Sequence, residues 1–163
     1  MEARDCVVRV GQIEHRFLVD ETQGSGELVI FEFTMPPNAR VPAPHYHRDV
    51  DELVYGLEGT FTSTRDGIKY DIGPGDSLFI ARGRVHNHEN LTSRKARGLV
   101  VMNPGTIGRR YFEEIAQAVN VPGKPDLAKV QAIMLRHGLC FPEQAQAPNT
   151  APAKNGNPAS RVS

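Results

Sequence analysis

The chain lacks an excess of either charge: nineteen Lys and Arg are matched by nineteen Asp and Glu across 163 residues. A protein that tracks phosphate backbones carries a basic field, so nucleic acid is not an expected partner. No apolar run approaches the ~20 residues of a membrane span. The opening "MEARDCVVRV" alternates charge with short apolar pieces and has no signal-peptide core. The expectation is a soluble, cytoplasmic protein with no membrane partner. Cysteine is scarce as well. Cys6 and Cys140 stand far apart, in neither a CxxC nor a CxxxC spacing, which leaves two unpaired buried thiols or one structural disulfide. Neither has a base or a cationic helix end beside it in sequence that would make it a nucleophile. The length suits one domain with a full core rather than two, so a single site is sought.

What is present divides into three parts. From residue 5 to about 103 the apolar residues come in short runs such as "ELVIFEFTM", "DELVYGL", "SLFIA" and "ARGLVVMN", punctuated by Gly, Pro, Asn and Asp. Many short strands without interleaved helices predict an all-β sandwich or barrel. Asp66-Gly67 between "TSTR" and "IKY" is a two-residue hairpin signal, because both turn positions want positive φ. After Pro104 the period changes. Phe112, Ile115, Ala116 and Val119 recur at helical spacing, as do Leu127, Val130, Met134 and His137, with Asp126 as N-cap and Gly138 as stop. From about Pro142 the chain is rich in Pro, Ala and Asn with little apolar mass. Residues 1–141 are therefore read as one domain, a barrel with two short C-terminal helices, and 142–163 as a disordered tail.

Chemistry concentrates in "HYHRDVDE". Alternate side chains of a strand share a face, so His45 and His47 present both imidazoles to one point. Glu52 follows on the next strand, and "GDSLFIARGRVHNHEN" supplies His86 on another. Three neutral imidazoles and a carboxylate make a site for a divalent transition metal: Fe, Mn, Ni, Co, Cu or Zn. Such a shell leaves the ion at about +1 with one or two open positions, and Glu52 doubles as a candidate base. His88 shares the parity of His86 and is a candidate hydrogen-bonding or proton-shuttling group; a half-exposed strand histidine is the plainer alternative. Gly56 either leaves room for substrate beside the metal or marks a bend in the strand. His15 and His137 have no partners in sequence and are read as a surface residue and a helix-end residue. Asp49 and Asp51 are read as a solvated charge cluster.

These residues resemble the cupin superfamily. Its first motif, G-x5-H-x-H-x3,4-E-x6-G, is met by His45, His47, Glu52 and Gly59, and its second, G-x5-P-x-G-x2-H-x3-N, by Gly75, Gly83, His86 and Asn90. Ala39 stands where the first motif opens on Gly, and Ala81 where the second has Pro. Both are turn or strand-edge positions, so the departures bear on loop geometry and leave the ligands alone. The resemblance implies a double-stranded β-helix, a jelly-roll barrel with the metal inside. It also implies a homodimer, for which "CVVRV" offers an edge strand.

The helical ending is similar, more loosely, to that of small quercetinase-like cupins. That implies a metal-dependent dioxygenase acting on an enol or polyphenol-like small molecule, with catalytic roles for Glu52 and His88. The same ion, without oxygen consumption, suits an isomerase, epimerase or lyase of small sugars or keto acids. A non-catalytic cupin that binds a small ligand is the third reading, since fold alone selects no activity.

Overall fold

The computed structural model describes residues 7–142. The expected disordered tail therefore lies outside the described residues apart from Pro142, and Cys6 lies outside them too. In chain order the elements are β1 (Val7–Val10), β2 (Ile13–Val19), β3 (Val29–Met35), β4 (Tyr46–His47), β5 (Asp51–Glu58), β6 (Phe61–Arg65) and β7 (Ile68–Ile72). They continue with β8 (Ser77–Ile80), β9 (His86–Glu89), β10 (Ala96–Asn103), α1 (Arg109–Val119), α2 (Leu127–Arg136) and β11 (Leu139–Cys140).

Six strands form one antiparallel sheet in the order β1-β2-β3-β10-β5-β8. The facing wall is built from β7-β6-β9 and the β4–β11 pair, which bridges at His45–His86 and Arg40–Glu89 tie together. This is the all-β jelly-roll expected, with two helices after it. Period-two burial explains the strands. On β3, Val29, Phe31, Phe33 and Met35 point inward, and on β10, Ala96, Val100 and Met102 join them. Apolar side chains on one face of each sheet thereby leave water together. Asp66 and Gly67 both adopt positive φ, 50° and 82°, at the β6–β7 turn, as the hairpin signal requires.

The two alanines that depart from the motifs sit in ordered turns. The amide of Ala39 donates to Pro36 and its carbonyl accepts from Asn90, while the left-handed backbone falls on Asn38. The carbonyl of Ala81 accepts from Arg84. Asn90 itself is fully buried and fastens this corner, donating to the carbonyls of Met35, Pro36 and Arg94. It is a structural residue of the second motif.

Helix α1 covers the residues expected and buries Tyr111, Phe112, Ile115 and Ala118. Its N-terminus has no cap of its own; Glu21, from the β2–β3 loop, accepts from the Arg109 and Arg110 amides at 2.7 and 2.9 Å. Asp126 caps α2 by accepting from Ala128 and Lys129, and Gly138 ends it with a φ of 82°. The buried face of α2 keeps Met134 and half-buried Val130 from the expected stripe but not Leu127. Leu127 is 77% exposed, and Ile133 and Met134 carry the burial, because the first turn of α2 projects beyond the barrel.

Candidate metal centre

His47 lies on the two-residue strand β4, and His45 just before it bridges to His86 through backbone bonds of 3.0 and 2.8 Å. Glu52 enters from β5 and His88 shares the inward face of β9 with His86. Each of the five is at most 8% exposed. Ligating atoms of His45, His47 and His86 lie within 4.8 Å of one another, as do those of Glu52, His86 and His88. The structure thus brings together every residue that the sequence proposed for the site. Asp51 turns away and takes Arg82 at 2.8 Å.

Glu52 is the hub. Its Oε2 lies 3.4 Å from His86 Nε2 and 3.6 Å from His47 Nδ1, and its Oε1 accepts from His88 Nε2 at 3.1 Å. Burial alone would push this carboxyl up, but the His86 and His88 imidazoles outweigh it and hold Glu52 well below the usual carboxylate range. For His86 burial acts downward and Glu52 overcomes it, so its pKa is raised. Burial, with the neighbouring imidazoles, pushes His45 well down. Burial likewise takes His47 to about 4 against the opposing pull of Glu52.

The donor set fits a metal ion. His45 Nδ1 donates to the Ala43 carbonyl at 3.1 Å and His86 Nδ1 to the Arg84 carbonyl at 2.9 Å. A carbonyl can only accept, so each Nδ1 holds the proton and each Nε2 offers its lone pair inward. His47 Nδ1 and His86 Nε2 are buried without a hydrogen-bond partner. Orphaned buried nitrogens beside a carboxylate are what a cation would satisfy. His88 differs, since Ser63 and Glu52 occupy both its nitrogens, at 2.8 and 3.1 Å.

The cluster opens on a cavity of about 120 Å³. Phe31, Phe33, Val100 and Met102 wall it from the sheet, and Phe112, Ile115 and Met134 from the helices. The helical extension therefore covers the barrel mouth. Outside the five cluster residues, the polar side chains lining the cavity are His15 and Tyr111, and no Lys or Arg reaches it among the described residues. His15 corrects the expectation of a surface residue. It is 8% exposed and its pKa is lowered to about 4 by burial. Its alternation with buried Ile13 and Phe17 on β2 was the signal that could have placed it inside. Tyr111 was legible only as a helical neighbour of Ile115. His137 is the helix-end residue expected and pairs with Glu114 at 2.9 Å.

Gly56 takes the bend reading rather than the pocket one. A Cβ there would fall 1.9 Å from the Gly73 carbonyl oxygen. The glycine lets the β7–β8 turn press onto β5, and it does not line the cavity. Gly59, with a φ of 65°, is likewise backed by the Lys95 carbonyl. Cys140 is a free, buried thiol.

Comparison with known proteins agrees with this architecture. Among curated proteins no sequence matches the chain. Solved structures do. A sugar phosphate isomerase of the cupin superfamily from Silicibacter pomeroyi is 26% identical with a TM-score of 0.52, over 58% of this chain and 60% of that one. KdgF from a Halomonas species is 19% identical with a TM-score of 0.53, over 60% and 84% of the two chains. A predicted oxalate decarboxylase from Thermotoga maritima is 24% identical with a TM-score of 0.53, over 56% and 80%. The match thus spans only 60% of the isomerase's length. No described helix is long and apolar enough to cross a membrane. A profile of the cupin domain matches residues 31–102, the stretch that contains both motifs and all five clustered side chains, and this part of the chain is a cupin domain.

Proposed function

We propose that the protein is a metal-dependent dioxygenase acting on a small, largely apolar enol, with His45, His47, Glu52 and His86 holding a divalent transition ion. The observation that carries the reading is the pair of orphaned nitrogens, His47 Nδ1 and His86 Nε2, facing Glu52 at the floor of an apolar cavity. When bound, the ion supplies a Lewis-acid centre for the enol oxygen and a redox partner for dioxygen. The chain supplies the rest. Glu52 Oε1 takes the proton of the substrate hydroxyl, and His88, whose Nε2 lies 3.1 Å away and whose Nδ1 meets Ser63 Oγ, steadies it there or relays it. The helices exclude bulk water from the reacting carbon.

Cavity size and chemistry narrow the substrate. A dry cavity near 150 Å³ takes benzene, so about 120 Å³ suits a single ring or a short branched chain rather than a multi-ring polyphenol. The second reading, an isomerase, epimerase or lyase of sugars or keto acids, has the Silicibacter isomerase in its favour. A sugar phosphate or carboxylate calls for cationic side chains, and the apolar wall provides none. A homodimer stays part of the proposal, and β1 occupies the open sheet edge it would use.

The test combines elemental analysis of untagged protein with oxygen consumption on short 1,3-diketones, single-ring enediols and flavonols. Metal in the wild type, its loss in His47→Ala with the fold intact, and oxygen uptake with the smaller compounds are expected. Full metal occupancy in that variant refutes the ligand set. Saturable binding without turnover on any metal identifies a binding protein instead.

A further inference from the structure

The cavity has two polar groups that the metal cluster does not use. Tyr111 hangs from α1, is 7% exposed, and its hydroxyl has no hydrogen-bond partner among the described residues. Burial raises its pKa, so it remains an O–H donor. His15 projects from β2, and its Nδ1 is buried and unpartnered. The two rings flank Phe112, at centroid distances of 4.5 Å for His15 and 5.0 Å for Tyr111. Their ring contacts are with Phe31, Phe112 and His137, and none is with a cluster imidazole.

A buried tyrosine hydroxyl or imidazole nitrogen ordinarily finds a partner, because leaving it dry and unpaired costs stability. The His15 nitrogen is costly as packing, and the Tyr111 hydroxyl on the same wall opens onto the cavity. They make sense as a recognition element that a ligand completes, since a site built around a hydroxyl rejects an analogue that lacks it.

We propose that Tyr111 and His15 form a second polar pole of the cavity, binding an oxygen at the end of the substrate remote from the metal cluster. The substrate class is then a single ring or short chain, apolar in the middle, with an enol oxygen at one end and a hydroxyl or carbonyl at the other. Tyr111 donates to that oxygen, and a hydroxyl there donates to the unpartnered Nδ1 of His15, whose ring already donates to the Val8 backbone. The inference rests on the proposed metal site only for the near end of the ligand.

Hydroquinone and phenol test it, because they share a ring and one hydroxyl and differ in the second. Affinities are measured anaerobically by calorimetry on protein incubated with zinc, for the wild type, Tyr111→Phe and His15→Phe. The wild type should prefer hydroquinone, and each variant should lower that preference, Tyr111→Phe by roughly tenfold, while phenol binding stays within about twofold. Tyr111→Phe should melt no lower than the wild type, since the hydroxyl it removes has no partner in the protein. A preference indifferent to both variants overturns the proposal. So does a melting temperature that falls in Tyr111→Phe, which reveals a structural role, and so does failure of either compound to bind the wild type. Zinc content on the same samples keeps the two readings apart. Wild type without zinc refutes the metal site, and the hydroquinone preference is read regardless.

Discussion

At the scale of single residues, burial rather than charge pairing sets the behaviour of His15, His45 and His47. His15 and His47 are both held to about 4, against an ordinary value of 6.5. Between those values the unfolded chain binds protons that the native protein refuses. Stability therefore falls as pH drops from 6.5 towards 4, and these two groups add nothing further below that. Each group contributes about 1.4 kcal/mol per pH unit, so about 2 kcal/mol per histidine between pH 6.5 and 5. His86, with its raised pKa, acts in the opposite sense. Urea unfolding of the metal-free protein at pH 6.5 and 5 should show a loss of stability that shrinks by about 2 kcal/mol in His15→Phe. An unchanged difference would mean that His15 titrates normally. The HxH spacing, Glu52 and His86 were readable because strand alternation and motif order both constrain them. The interior placement of His15 was available from the same alternation, yet a lone histidine in a short strand gives no chemical reason to look inward.

At the scale of elements, the long strands were legible because hydrophobic alternation and turn residues agree about them. Of the two-residue strands, β4 was read from the His45–His47 spacing and β11 was not. β4 and β11 pair only through Tyr46–Cys140 and His47–Leu139, and two residues are too few to show a period. β11 is set instead by where α2 ends, at Gly138, whose carbonyl accepts from the Arg48 amide at 2.8 Å. The exposure of Leu127 on α2 was hidden for a related reason: periodicity finds an apolar stripe but not how far the helix overhangs its partner. Gly56 shows the same limit within a strand. Its neighbour is the backbone of the β7–β8 turn, with Gly56 N–H donating to Asp76 and Gly75 N–H donating back to Gly56. Gly56→Ala should thus force that turn away and cost about 2–3 kcal/mol in chemical denaturation. Metal content should be retained, because the cluster lies elsewhere on β5. A neutral substitution would show that the turn moves freely.

At the scale of the whole molecule, barrel and helices make one enclosure. The strands supply the ligand cluster and the helices determine how much space it commands. Phe112 packs against Phe17 and Phe31 at 5.4 and 5.1 Å, so α1 is continuous with the barrel core, and Met134 of α2 closes the same cavity. Nothing in the helical periodicity revealed this, because an amphipathic face looks the same whether it covers a mouth or an outer wall. If the helices set the size limit, shortening one side chain should relax it without touching the metal ligands. Met134→Ala is expected to cost about 2–5 kcal/mol of stability and to leave additional space in the cavity. Binding of 2-naphthol relative to phenol should then rise by an order of magnitude over the wild type, since the second ring gains room while the first keeps its contacts. Metal content should be unchanged. Equal ratios in the two proteins would place the size limit in the strands, with Phe31, Phe33 and Met102 as the residues to shorten next.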